Sequence, residues 1–142
     1  MSPDALAALH ARCFTEAPRP WTAREFAGLA AAEGTLLLCR PEGFALGRLA
    51  GPEAELLTLA VEPLARRRGI GTALVLAFEA AASARGAGEV FLETAVGNTA
   101  ARGLYEALGY RPVGRRPGYY TRAGRPPLDA LVFRKPLDAP AP

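Results

Sequence analysis

The chain has 142 residues, half of them apolar, and 17 Lys and Arg against 14 Asp and Glu give a formal charge of +3. That balance suits one globular domain with a sizeable core and excludes a disordered chain. No apolar run approaches the ~18 residues of a membrane span and no basic, apolar leader opens the sequence, so a cytosolic protein that meets no membrane is expected.

Pro3 to about Phe14 reads as a short helix. Thr22-Ala23-Arg24-Glu25 is a capping box, and Phe26, Leu29 and Ala30 continue a helical stripe behind it. Thr35–Cys39 is an apolar strand, and Gly43–Ala50 and Glu53–Val61 form a hairpin around Gly51-Pro52. Ile70, Leu74, Ala77, Phe78 and Ala81 mark one face of a helix that stops near Arg85-Gly86. Glu89–Ala95 is a strand, and Asn98 caps a helix that runs to Leu108 and ends at Gly109. Tyr110–Gly114 and Leu128–Lys135 are the last strands, with Arg115–Tyr120 in a loop between them. Residues 1–135 make the domain, and 136–142 a flexible tail. The order implies an α/β fold: a mixed sheet of about six to seven strands with helices on both faces.

Two cysteines, Cys13 and Cys39, cannot build a disulfide framework, and both are expected as buried free thiols. The lone histidine, His10, speaks against a zinc site and against a Ser-His relay, and reads as a helix-surface or structural residue. No metal is expected. Charge is uneven: residues 1–62 carry five Arg and eight acids, net −3, and residues 63–142 carry twelve basic groups and six acids, net +6. An anionic ligand should dock on the second half. Aromatics do not interleave with the arginines as in a nucleic-acid module, so nucleic acid is not the expected partner.

The run Leu59-Ala60-Val61 followed by Arg66-Arg67-Arg68-Gly69-Ile70-Gly71-Thr72 reads as strand, basic glycine loop and helix start. Such a loop offers backbone N–H groups and a helix dipole to a phosphate. A P-loop would need Gly-Lys-Ser/Thr, and a Rossmann fingerprint a third glycine; neither is present. A glycine-rich turn carrying solvated arginines remains the plain alternative.

Arg66-x-x-Gly69-x-Gly71 resembles the acetyl-CoA pyrophosphate loop of the Gcn5-related N-acetyltransferases. Three further segments carry the resemblance: Pro20-Trp21-Thr22 with Phe26, Leu92-Glu93 with Asn98-x-Ala100-Ala101-x-x-Leu104-Tyr105-x-x-Leu108-Gly109-Tyr110, and Gly118-Tyr119-Tyr120. Together they span Arg19 to Lys135 and are most similar to the RimI-type ribosomal-protein-alanine N-acetyltransferases. The resemblance implies acetyl-CoA lying in a splay between Glu55–Val61 and Glu89–Ala95. Backbone groups of Leu59 and Val61, with Ala60 between them, would run along the pantetheine. Amides of Arg67–Thr72, behind Arg66, would hold the pyrophosphate, and Asn98 would meet the pantetheine arm.

The resemblance also places a general base at Glu93 and a general acid at Tyr105, which suits a chain without a usable histidine. Tyr119 and Tyr120 would wall the substrate N-terminus, or merely flank a hairpin. The implied acceptor is a protein N-terminus, with a ribosomal protein beginning with alanine as the family's usual case, and the implied state is a monomer. A carboxylate base suits an α-amine, pKa about 8, better than a lysine at about 10.4. Three other readings stay open: the same chemistry on a small amine or a lysine, a CoA-binding module without turnover, and a truncated dinucleotide-binding domain.

Overall fold

The computed structural model describes residues 1–15 and 19–138. Helix α1 (Pro3–Cys13) starts where Ser2 accepts the Ala5 N–H at 3.1 Å and Pro3 presets the first turn. Helix α2 (Ala23–Ala31) has the reciprocal Thr22–Glu25 capping box, and Arg19 grips the Glu25 carboxylate through two 2.8 Å contacts. Strands β1 (Thr35–Arg40), β2 (Gly43–Ala50) and β3 (Glu53–Val61) form an antiparallel meander. Helix α3 (Ile70–Ala84) crosses over to β4 (Glu89–Ala95), which pairs parallel with β3. Helix α4 (Thr99–Ala107) precedes a long hairpin, β5 (Arg111–Arg122) and β6 (Arg125–Pro136). The six strands lie in the order β1-β2-β3-β4-β6-β5, a mixed sheet with helices on both faces as expected.

Each face buries its own core. Leu74, Val75 and Phe78 of α3 pack on Leu56, Val90, Leu92 and Phe133. Gly47 makes room for Phe78, because a Cβ there would sit 2.4 Å from the ring. On the other face Leu6, Leu9 and Phe26 cover Phe44, Leu46 and Ala60, with Phe26 edge-on to Phe44 at 5.6 Å. The β2–β3 register shifts between Leu46 and Gly47: Leu46 faces Thr58 and Gly47 faces Leu56, so Leu57 is an extra residue. This bulge changes which side chains of β3 look at which face, so Leu56 joins one core and Ala60 the other.

Three expectations are corrected. Arg115–Tyr120 is not a loop but part of β5, since Pro117 and Gly118 fit an irregular edge strand where the register slips between Arg116 and Tyr120. Cys39 is exposed and Cys13 only half-buried, because Cys39 falls near the end of edge strand β1. Of the expected tail, Pro136 ends β6, and Leu137 packs on the core and donates its N–H to Gly88 at 2.8 Å; residues 139–142 lie outside the described residues. Among the described residues no helix is long and apolar enough to cross a membrane.

Candidate functional site

Strands β3 and β4 pair only from Glu53–Glu89 to Leu56–Leu92. Beyond the bulge they part, and a cleft of about 710 Å³ opens between them. Glu62 donates its N–H to Glu42 across the hairpin, so strand alternation turns the main-chain groups of Leu59 and Val61 to the open side. The Val61 carbonyl already accepts Cys13 Sγ–H at 3.2 Å and Arg66 Nε–H at 3.4 Å.

The basic glycine loop closes one end of the cleft. Arg67 and Gly69 both take left-handed conformations, φ +66° and +76°, which bend the chain into the start of α3. Gly69 is the cap residue and has no side chain to offer the helix. The N–H groups of Ile70, Gly71 and Thr72 therefore have no intrahelical acceptor and form a ready site for an anion. Gly71 leaves an open lane past Leu104 and Leu59, from which an added Cβ would stand 3.5 and 3.8 Å away. Leu59, Val61, Arg66, Arg67 and Gly69–Thr72 all line the cleft. Two expected members do not: Ala60 points into the core under α1 and α2, and Arg68 is exposed outside the lining.

Asn98 caps α4 by accepting the Ala101 N–H at 3.1 Å and lines the same cleft, as do Glu93, Tyr105 and Tyr120. Tyr105 is 7% exposed, its ring between Tyr110 at 5.7 Å and Phe133 at 6.5 Å. Burial pushes its phenol up, as it does that of Tyr120, where the nearby Glu93 charge adds to the effect. Tyr119 is half-exposed and lies outside the lining, yet it touches Glu93, whose charge and hydrogen bond raise the phenol. The tyrosine pair is held by Asp129, which accepts Gly118 N–H at 2.8 Å and Arg115 Nε–H at 2.7 Å; these bonds draw the carboxyl below its ordinary range.

Several contacts within the site carried no signal in the sequence. Arg116 Nε lies 2.7 Å from Glu93 Oε1 and its guanidinium sits 5.5 Å from the Tyr119 ring centre. Thr58, Thr94 and Phe14 also line the cleft, together with Leu104 and Trp21 of the motifs quoted above. His10 is wholly buried, accepts the Trp21 N–H on Nδ1 at 3.1 Å and meets Thr58 Oγ1 through Nε2 at 3.1 Å. The Arg116–Glu93 and His10–Thr58 contacts join positions far apart in the chain, so no local pattern announces them. No cluster of metal-ligating side chains occurs among the described residues.

An uncapped helix start beside arginines, two strand edges with free polar groups and a carboxylate facing phenols can hold an extended phosphate-bearing ligand and act on a group at mid-cleft. Residues 4–110 match the model of the acetyltransferase (GNAT) family. The ribosomal protein bS18-alanine N-acetyltransferase of Escherichia coli K12 is 34% identical over 95 residues, 66% of this chain and 63% of that protein. The N-alpha-acetyltransferase RimI of Mycobacterium tuberculosis is 38% identical over 96 residues, 68% of this chain and 57% of that protein. The matched segment thus spans less than two thirds of these relatives. The crystal structure of the Escherichia coli ribosomal-protein-S18-alanine N-acetyltransferase superposes with a TM-score of 0.83 at 28% identity, covering 98% of this chain and 90% of that one.

Proposed function

The chain belongs to the GNAT family of acetyltransferases, and on that premise we propose that it transfers the acetyl group of acetyl-CoA to the N-terminal α-amine of a protein. The observation that carries this is the splay between β3 and β4, with an uncapped helix start at one end and Glu93 and Tyr105 along its walls. Acetyl-CoA is a substrate that fits this shape. Its pyrophosphate would rest on the N–H groups at the start of α3 with Arg66 and Arg67 beside it. Its pantetheine would follow the Leu59 and Val61 backbone, and Asn98 would border the arm.

The acceptor ammonium loses one proton to Glu93, and the freed amine nitrogen attacks the thioester carbon. The tetrahedral intermediate then loses its second nitrogen proton to solvent, the oxyanion collapses, the C–S bond breaks, and the departing sulfur takes a hydrogen bond and then a proton from Tyr105, which solvent replaces. Burial raises the Tyr105 phenol and keeps it protonated, so it meets the departing sulfur as a hydrogen-bond donor. Before this, Arg116 must yield Glu93 to the incoming ammonium. The names of the relatives support a ribosomal protein with N-terminal alanine as the acceptor.

The test is incubation with acetyl-CoA and two peptides, one with a free N-terminal alanine and one N-terminally blocked with an internal lysine. Acetylation of the first, located by mass spectrometry, is the expected result. Modification of the blocked peptide alone moves the acceptor to lysine, and CoA binding without thiol release removes catalysis.

A further inference from the structure

His10 has a defined tautomer. The Trp21 main-chain N–H points at Nδ1, so Nδ1 is the acceptor and the ring proton sits on Nε2. That Nε2–H can only donate to Thr58 Oγ1, 3.1 Å away. The hydroxyl oxygen of Thr58 therefore accepts the His10 Nε2–H and must aim its own hydrogen elsewhere. Thr58 is 8% exposed and lines the cleft, directly after the bulge at Leu57 where β3 leaves β4. His10 cannot turn away, since it is wholly buried and stacked on Trp21 at 5.1 Å, with Phe14 at 4.3 Å and Phe26 at 5.5 Å.

We infer that His10 is a positioning residue that turns the Thr58 hydroxyl into the cleft as a hydrogen-bond donor to the thioester carbonyl oxygen, the atom that becomes the oxyanion. The inference deepens the acetyl-transfer reading and rests on it. The chain Trp21 N–H to His10 to Thr58 to carbonyl runs in one direction, each group donating to the next. No proton is transferred along it; it fixes orientation, and its worth lies in a donor already aimed when charge develops. It also ties the loop before α2, which carries Trp21, to the wall of the reaction site.

His10 is the chain's one histidine, so a proton–nitrogen correlation spectrum reads it without ambiguity. The Nε2–H tautomer is expected at neutral pH. S-acetonyl-CoA, a non-hydrolysable ketone, should move the Nε2 resonance, and CoA, which lacks the carbonyl, should leave it near its free position. Thr58→Val should abolish that difference and lower kcat by about 10², the scale of one lost oxyanion donor, with KM for acetyl-CoA unchanged. Thr58→Ser should restore kcat. His10→Phe keeps the stacking and removes both hydrogen bonds, and its loss should not add to that of Thr58→Val. An Nδ1–H tautomer, equal responses to the two CoA compounds, or wild-type kcat in Thr58→Val overturns the inference. If neither compound binds at all, the acetyl-transfer reading itself fails.

Discussion

Arg116 occupies Glu93: the Nε–Oε1 distance is 2.7 Å, and the guanidinium is far more exposed than the carboxylate it covers, 57% against 17%. The contact joins an edge strand to the cleft wall, and it ties access to Glu93 to the position of β5. Glu93→Gln keeps the size of the side chain but cannot take a proton. Turnover should fall by roughly 10²–10⁴ with acetyl-CoA affinity unchanged. The variant should recover as pH passes the pKa of the acceptor, from about 8 for an α-amine or only near about 10 for a lysine. Matching pH–rate profiles for variant and wild type would show that Glu93 is not the base.

Tyr105→Phe deletes one hydroxyl from a ring already packed on Tyr110 and Phe133, so the fold should be retained. Turnover should drop by roughly 10²–10⁴. Acetyl-CoA binding by calorimetry should not change. Native turnover in this variant would make Tyr105 a packing residue.

Gly71→Asp separates binding from stability. The new Cβ would stand in ordinary contact with Leu104, and a carboxylate in the first turn of α3 favours an uncapped helix start. Thermal unfolding should therefore occur at the same temperature or slightly higher. Acetyl-CoA affinity should collapse, because the charge sits where the pyrophosphate would rest. Equal affinities in calorimetric titration would remove the phosphate site.

His10 makes stability depend on pH. Burial, the leading cause, lowers its pKa from 6.5 to about 4, outweighing the opposing pull of Glu25. As pH falls through about 6.5 the unfolded chain takes up a proton that the folded chain refuses until about pH 4. Stability is complete above that window and declines across it, by as much as about 3 kcal/mol. Glu25, which the Arg19 hydrogen bonds hold at about 2, contributes only lower down. Urea unfolding at a series of pH values should show this slope in the wild type and not in His10→Gln.

Elements whose signals are local were legible from the residues alone. Ser2-Pro3, the Thr22–Glu25 box and Asn98 with Gly109 marked helix ends, because a cap needs only its own few residues. The basic glycine loop at the start of α3 was legible for the same reason. The path of β5 was not: Pro117-Gly118 has the chemistry of a turn, and the pairs with β6 on either side, Arg116–Ala130 and Tyr120–Leu128, carry the strand across it. Nor were the Arg116–Glu93 pair, the His10–Thr58 link, or the bonds from Tyr110 and Lys135 to buried Glu79, at 2.9 and 2.8 Å. Each depends on which distant side chain the finished fold brings near. Ala60 faces the core under α1 and α2, because it alternates with Leu59 and Val61 and the bulge at Leu57 sets the phase of this part of the strand.

The short pairing of β3 with β4 makes the sheet two slabs rather than one, β1–β3 and β4–β6, seamed by only four residue pairs. Amides along the seam would exchange with solvent quickly in the free protein, and a molecule lying between the slabs would act as mortar. Loss of that molecule loosens the join without unfolding either block. The protein's resistance to heat and proteases in a cell should then follow the supply of whatever fills the seam, making its lifetime a gauge of that supply.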